Sequence, residues 1–231
     1  MKIYAFGDSV VYGHTMPEKS FMRLLSDERG YELSMLAVNG ATVVTADSAS
    51  KEAAGEQTKG NYILSQVSAA PEAAPDVVVF NGGTNDSYGD PASDIHNPRG
   101  DHMDIMKSLG VIKGPGADSY DTLTFCGGFE RILCEMRKKW GDTPIIYVTV
   151  HKSGGRDWEV QTRLRELALA ACEKWGVAAA DVFSETELDT RDADQMREYI
   201  MEGAGSHPNE AACRRFYMPT VLRAIEDAVL R

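Results

Sequence analysis

The sequence predicts an α/β fold, a five-stranded parallel sheet with helices on both faces. Two observations carry this. Strand and helix alternate five times along the chain, and the strands are short. The clearest strand, Asp76-Val77-Val78-Val79-Phe80, is a continuous apolar run, the signature of a strand buried on both faces.

The first strand is Lys2 to Phe6. It ends in Gly7-Asp8-Ser9, and a second glycine, Gly13, follows four residues after the serine. Thr15-Met16-Pro17-Glu18 reads as a capping box with proline early in the first turn. The helix it would open has Phe21, Leu24 and Leu25 on one face and Gly30 as its stop. The second strand is Glu32 to Val38, ending at Asn39-Gly40. A polar stretch and a helix near Gln57 to Ala69 follow. The third strand runs into Asn81-Gly82-Gly83-Thr84-Asn85-Asp86. Residues 87–119 are rich in Gly, Pro and Asp and have no sustained period. They read as a substrate-side insertion with a short helix near Met103 to Leu109.

Asp121 to Trp140 is a helix with Phe129, Ile132, Leu133 and Met136 on one face, and Gly127-Gly128 marks a kink or a close backbone contact. Pro144 to Val150 is the fourth strand, Glu159 to Trp175 a helix, Val177 to Val182 the fifth strand. A helical piece near Asp192 to Met201 precedes Gly203-Ala204-Gly205-Ser206-His207-Pro208-Asn209. The last helix is expected from about Pro208 to Leu230, bent at Pro219. No repeat or linker divides the 231 residues, so one domain, 1–231, is expected.

Composition narrows the function classes. With 43% hydrophobic and 26% charged residues the chain is ordinary for a globular protein. A net charge of -11 argues against nucleic acid or an anionic membrane surface as partner. No apolar stretch approaches a membrane span, and Lys2 to Phe6 reads as a strand rather than a leader, so a cytoplasmic location is expected. The cysteines, Cys126, Cys134, Cys172 and Cys213, form no Cys-x-x-Cys pair and read as small buried hydrophobes. Asp94, His96, Asp101, His102 and Asp104 in the insertion match no metal-ligand spacing. Neither metal nor cofactor is expected.

In a parallel α/β sheet, ligands bind outside the carboxyl ends of the strands. Ser9, Gly40, Asn85 and His151 all follow strands and so share that edge. Ser9, exposed on a sharp turn, can be a nucleophile. His207, just before the last helix, can be its base, with His151 the second choice. His14 is near enough to line the pocket. The backbone N–H groups of Ser9 and Gly40 and the Asn85 amide can together hold an oxyanion. Each also has a structural reading: Ser9 as a turn cap, Gly40 as a strand stop, Asn85 as a turn tie, His207 as a helix-entry residue. Asp86 is expected to bond loop backbone.

Gly7-Asp8-Ser9 with Gly13, then Gly40, then Gly83-Thr84-Asn85-Asp86, then His207-Pro208-Asn209-Glu210, in that order across nearly the whole chain, resemble the SGNH or GDSL hydrolases. The resemblance implies a flavodoxin-like, three-layer α/β/α fold and ester hydrolysis through an acyl-enzyme. It assigns Ser9 as nucleophile, His207 as base, and Gly40 and Asn85 as oxyanion donors. One position departs. The family's orienting Asp stands three residues before the histidine, and here that residue is Ala204. Glu202 on the same loop can take the role, a backbone carbonyl can hold the ring in a Ser–His dyad, or the protein is slow or inactive. The expected substrate is a small ester with a short acyl group, such as acetyl on a sugar. The alternative is a weak or inactive protein of the same fold that binds a small ligand in the same pocket. A flavodoxin-like phosphate or nucleotide binder would use Ser9 to Gly13 as its cradle, but the chain has neither a Walker-type Gly-Lys-Ser/Thr nor a dinucleotide fingerprint.

Overall fold

The computed structural model describes residues 1–45, 62–87, 105–201 and 205–230. Five strands form one parallel sheet: β1 (Lys2–Phe6), β2 (Glu32–Met35), β3 (Val77–Phe80), β4 (Ile145–Val148) and β5 (Ala178–Ala180). Their order is β2-β1-β3-β4-β5, the flavodoxin-like winding. Tyr4 pairs with Ser34 on one side and Val78 on the other, and Phe80 pairs with Tyr147.

Alternation along each strand divides the core in two. Tyr4, Phe6, Val78, Phe80, Ile145 and Tyr147 face α3 (Ile63–Ala69), α4 (Phe125–Trp140) and α5 (Trp158–Trp175). Ile3, Ala5, Val77, Val79, Ile146 and Val148 face α2 (Phe21–Arg29) and the C-terminal helix. Burying apolar side chains on both faces is what holds such a sheet together.

Several boundaries differ from expectation, each for a local reason. Thr15 to Glu18 form no capping box. Pro17–Lys19 make a single 3₁₀ turn without a side-chain cap, and Ser20 caps α2 by accepting the Arg23 N–H at 3.3 Å. Strand β2 stops at Met35, before the turn in which Val38 accepts the Ala41 N–H. The first part of the expected 57–69 helix lies outside the described residues. So does 88–104, with the acidic and histidine residues of the insertion; the short helix expected near Met103 to Leu109 is a 3₁₀ turn, Ile105–Lys107. The end of the expected insertion is packed onto α4: the fully buried Glu130 accepts the N–H groups of Lys113 and Gly114 and the Trp175 indole N–H.

Helix α4 starts at Phe125, after Thr124 accepts the Gly127 N–H. The Gly127-Gly128 pair marks close approach. A Cβ on Gly127 would stand 2.1 Å from the Asp121 carbonyl oxygen, and one on Gly128 2.6 Å from that of Val43. Asp157 caps α5. Beyond β5 a short helix α6 (Val182–Glu185), absent from the sequence reading, leads towards α7 (Ala193–Tyr199).

The last helix has three parts. Asn209 caps α8 (Glu210–Ala212), a π-helical turn spans Cys213–Tyr217, and α9 (Met218–Val229) follows with Pro219 in its first turn. Proline has no N–H to return to the residue four earlier, and the wide π turn stands where that bond is lost. Among the described residues no helix is long and apolar enough to cross a membrane.

Gly127→Ala is expected to destabilise the fold by about 1–3 kcal/mol in urea unfolding, since the neighbouring atom is backbone and cannot swing away. An unchanged unfolding midpoint would show that the helix start relaxes freely.

Candidate active site

Strand β1 leads into Gly7, whose φ of 138° suits glycine, and a Cβ there would lie 2.8 Å from the Asn81 carbonyl oxygen. Its peptide groups are clamped by one side chain: the Gly7 N–H donates to Gln66 Oε1 at 2.9 Å, and Gln66 Nε2 donates to the Gly7 carbonyl at 2.8 Å. Asp8 then caps a one-turn helix, α1 (Ser9–Tyr12), accepting the Val10 N–H at 2.8 Å. Ser9 is the first residue of that turn, and Val10 and Val11 anchor it in the core.

His207 reaches the same point from the other end of the chain. Its carbonyl accepts the Met201 N–H, Pro208 bridges to Ile200, and the Asn209 N–H donates to the Tyr199 carbonyl. This short antiparallel pairing holds the loop before α8. His207 Nε2 lies 2.7 Å from Ser9 Oγ, across 198 positions of sequence. Hydrogen-bond contact between a hydroxyl and an imidazole is the geometry that activates a serine.

Gly40 and Asn85 are also brought together. Gly40, φ 78°, occupies the turn closed by the Ala41 N–H on the Val38 carbonyl. Asn85 Nδ2 donates one N–H to the Ala41 carbonyl at 2.8 Å, which ties the turn after β3 to the turn after β2. Asp86 acts as expected, its two oxygens accepting the N–H groups of Val43 and Val44. Glu202 and Ala204 lie outside the described residues.

His151, the second candidate for base, is placed elsewhere. It is fully buried and its Nδ1 lies 2.8 Å from the Tyr217 hydroxyl, which also accepts the His151 N–H. Burial, aided by the Arg156 charge and then by His207, lowers its pKa to about 3, so the ring stays neutral. The neighbouring cavity is lined by Gly82, Gly83, Tyr147, His151, Arg156 and Phe183, among others. Arg156 Nε donates to the Thr84 carbonyl, beside Asn85, a contact with no sequence signal. Gln66 was equally illegible. His14, expected only to line the pocket, has its ring stacked on that of His207, centroids 3.9 Å apart and planes at 12°.

Among the described residues no three or more His, Cys, Asp or Glu side chains cluster as a metal site. Cys126, Cys172 and Cys213 are buried free thiols, and burial raises the pKa of each.

Residues 5–215 match the GDSL-like Lipase/Acylhydrolase family. No curated relative matches the chain. Among solved structures, a protein from Lactobacillus plantarum is similar over 98% of this chain and 94% of its own, at 15% identity and a TM-score of 0.70. A member of the lipolytic protein G-D-S-L family from Veillonella parvula is similar over 96% and 97%, at 15% identity and 0.56. LAE5, an alpha/beta hydrolase enzyme from the metagenome of Lake Arreo, is similar over 97% and 94%, at 16% identity and 0.57. At such identities these three likenesses speak for the fold.

Asp8 generates a prediction. Burial pushes its carboxyl pKa up from 3.8 to about 6, against the lowering effect of the Val10 N–H bond. The folded protein therefore keeps a proton that the unfolded chain releases, and stability falls as pH rises from about 4 to 6, by up to ~3 kcal/mol from this group. Asp8→Asn retains an acceptor for Val10 and cannot ionise. The stability difference between variant and parent is expected to grow in the variant's favour across that window and then level off. Parallel stability curves from pH 4 to 8 would contradict this.

Proposed function

This chain belongs to the GDSL-like lipase/acylhydrolase family, and we propose that within it the protein is a serine esterase acting on small esters through an acyl-enzyme at Ser9. The observation that carries the reading is the 2.7 Å contact between Ser9 Oγ and His207 Nε2. A positioned base within hydrogen-bond reach is what converts an ordinary hydroxyl into a nucleophile.

The reaction has two halves. In the first, His207 Nε2 takes the Ser9 proton as Oγ attacks the ester carbonyl. The tetrahedral oxyanion is met by the N–H groups of Ser9 and Gly40 and by the second N–H of the Asn85 amide, the first being held by Ala41. The imidazolium then gives its proton to the leaving alcohol. In the second half His207 draws a proton from water, which attacks the acyl-enzyme and releases the acid and Ser9. Asp8 takes no proton in this scheme, since its carboxylate caps the turn that presents Ser9. Glu202 is proposed as the acid that orients His207, because the position three before the histidine is Ala204.

A short acyl group, acetyl on a hydroxylated alcohol such as a sugar, is the proposed substrate. The polar, Gly-rich composition of the segment after Asp86 supports it. No metal or cofactor enters the scheme.

Hydrolysis of p-nitrophenyl acetate, butyrate and octanoate by the parent, Ser9→Ala and Glu202→Gln tests this. Acetate is expected to be turned over fastest. Ser9→Ala is expected to lose at least 10³-fold in kcat, and Glu202→Gln ten- to a thousand-fold. Full activity in Ser9→Ala would rule out the acyl-enzyme. Parent-like activity in Glu202→Gln would leave a Ser–His dyad.

A further inference from the structure

His14 is the residue of the site that the reaction scheme leaves without a part. Among the described residues it is the one non-glycine with a positive φ, 51°. A histidine held in the left-handed region points to a surrounding structure that requires it there.

Three contacts define that requirement. The carbonyl of Ser9 accepts two N–H groups, from Gly13 at 2.9 Å and from His14 at 3.0 Å, so the nucleophile's own peptide fixes the backbone of His14. The His14 carbonyl accepts the Asn39 side-chain N–H at 3.3 Å, next to Gly40. The His14 ring lies flat against His207, 3.9 Å between centroids and 12° between planes. One residue thus touches the base through its ring, the nucleophile through its N–H, and the Gly40 turn through its carbonyl.

We propose that His14 is a positioning residue for His207, holding the base through its ring face. This rests on the serine esterase reading. An orienting carboxylate works on the edge of an imidazole, through Nδ1. It fixes the direction of one bond and leaves the ring free to tilt about it. A flat aromatic face restricts that tilt and keeps Nε2 in the plane where it meets Ser9 Oγ. The stack acts whatever meets the Nδ1 edge. It also acts on charge: when the Ser9 proton moves to Nε2 the new imidazolium sits over the π face of His14, well within the distance at which such a face attracts a cation. The stabilisation is larger for the charged ring than for the neutral one, so it favours the attacking state over the resting state.

The variants separate this role from a structural one. His14→Phe keeps a flat ring. His14→Ala removes the ring. His14→Gly removes the ring and also relieves the positive φ, so the fold has no reason to weaken. The readout is the second-order rate of fluorophosphonate labelling at Ser9, followed by mass spectrometry, which needs no knowledge of the natural ester. The thermal midpoint is measured beside it. The parent is expected to label at Ser9, and His14→Phe to label within about threefold of it. His14→Ala and His14→Gly are expected to label at least tenfold more slowly, with the midpoint of His14→Gly no lower than the parent's. Parent-like labelling of His14→Ala and His14→Gly would overturn the inference while leaving the esterase reading intact. Equal loss in all three variants, or rates that follow the thermal midpoint, would overturn it too. No labelling of the parent would overturn the esterase reading and this inference together.

Discussion

The placement of the site depends on one side chain gripping one peptide. Gln66 accepts from the Gly7 N–H and donates to the Gly7 carbonyl, with both bonds buried. Beyond the last residue of β1 the Gly7 carbonyl still accepts the Val38 N–H, and the Gly7 N–H is met by a side chain instead of a strand. A single amide, donor and acceptor together, meets both ends of that residue, and the Val38 N–H shares the carbonyl with it. An apolar residue at 66 would leave the buried Gly7 N–H without its acceptor, at ~1–3 kcal/mol, while the Gly7 carbonyl would keep the Val38 N–H. The position of Ser9 two residues on follows from this grip together with the Asp8 cap.

The same logic repeats along the carboxyl edge of the sheet. Asn85 ties the turn after β3 to the turn after β2 through Ala41, Asp86 holds Val43 and Val44, and Arg156 holds Thr84. These side chains stand in for strand pairing where pairing has ended. The geometry of the candidate site is therefore a by-product of solving a backbone problem. The turns that carry Ser9, Gly40 and Asn85 are held by polar side chains from elsewhere in the chain, and the His207 loop by backbone pairing with 199–201.

The alternation of strands and helices and the glycines flanking Asp8-Ser9 were legible because they act locally. Each strand is recognisable from its own residues, and Ser9, Gly40 and Asn85 each follow one. His207 was legible because a histidine in a Gly-rich turn before a helix is itself a local pattern. The clamp of Gln66 and the contact of Arg156 with Thr84 were not, since both span more than fifty residues and leave no periodicity. Thr15 to Glu18 misled for the opposite reason. The local pattern was present, but Ser20 is extended, at φ -64° and ψ 149°, and restarts the chain before α2. Gly127-Gly128 signalled that something was unusual without saying what. The carbonyls of Asp121 and Val43 that require them belong to tertiary packing.

The π turn at Cys213–Tyr217 carries a consequence for the evolution of chain length. A π turn holds one residue more than the α turn it replaces, and one residue of α-helix is about 100° of rotation. Everything after it is phased by that extra residue. Val221, Ala224 and Ile225 face the core beside Ile3 and Val79 in the present phase. A one-residue deletion anywhere from Cys213 to Tyr217 that restored regular winding would turn that apolar stripe towards the flank of the helix. It would also pull the Tyr217 hydroxyl away from His151, so the helix tolerates substitution here far better than it tolerates a change in length.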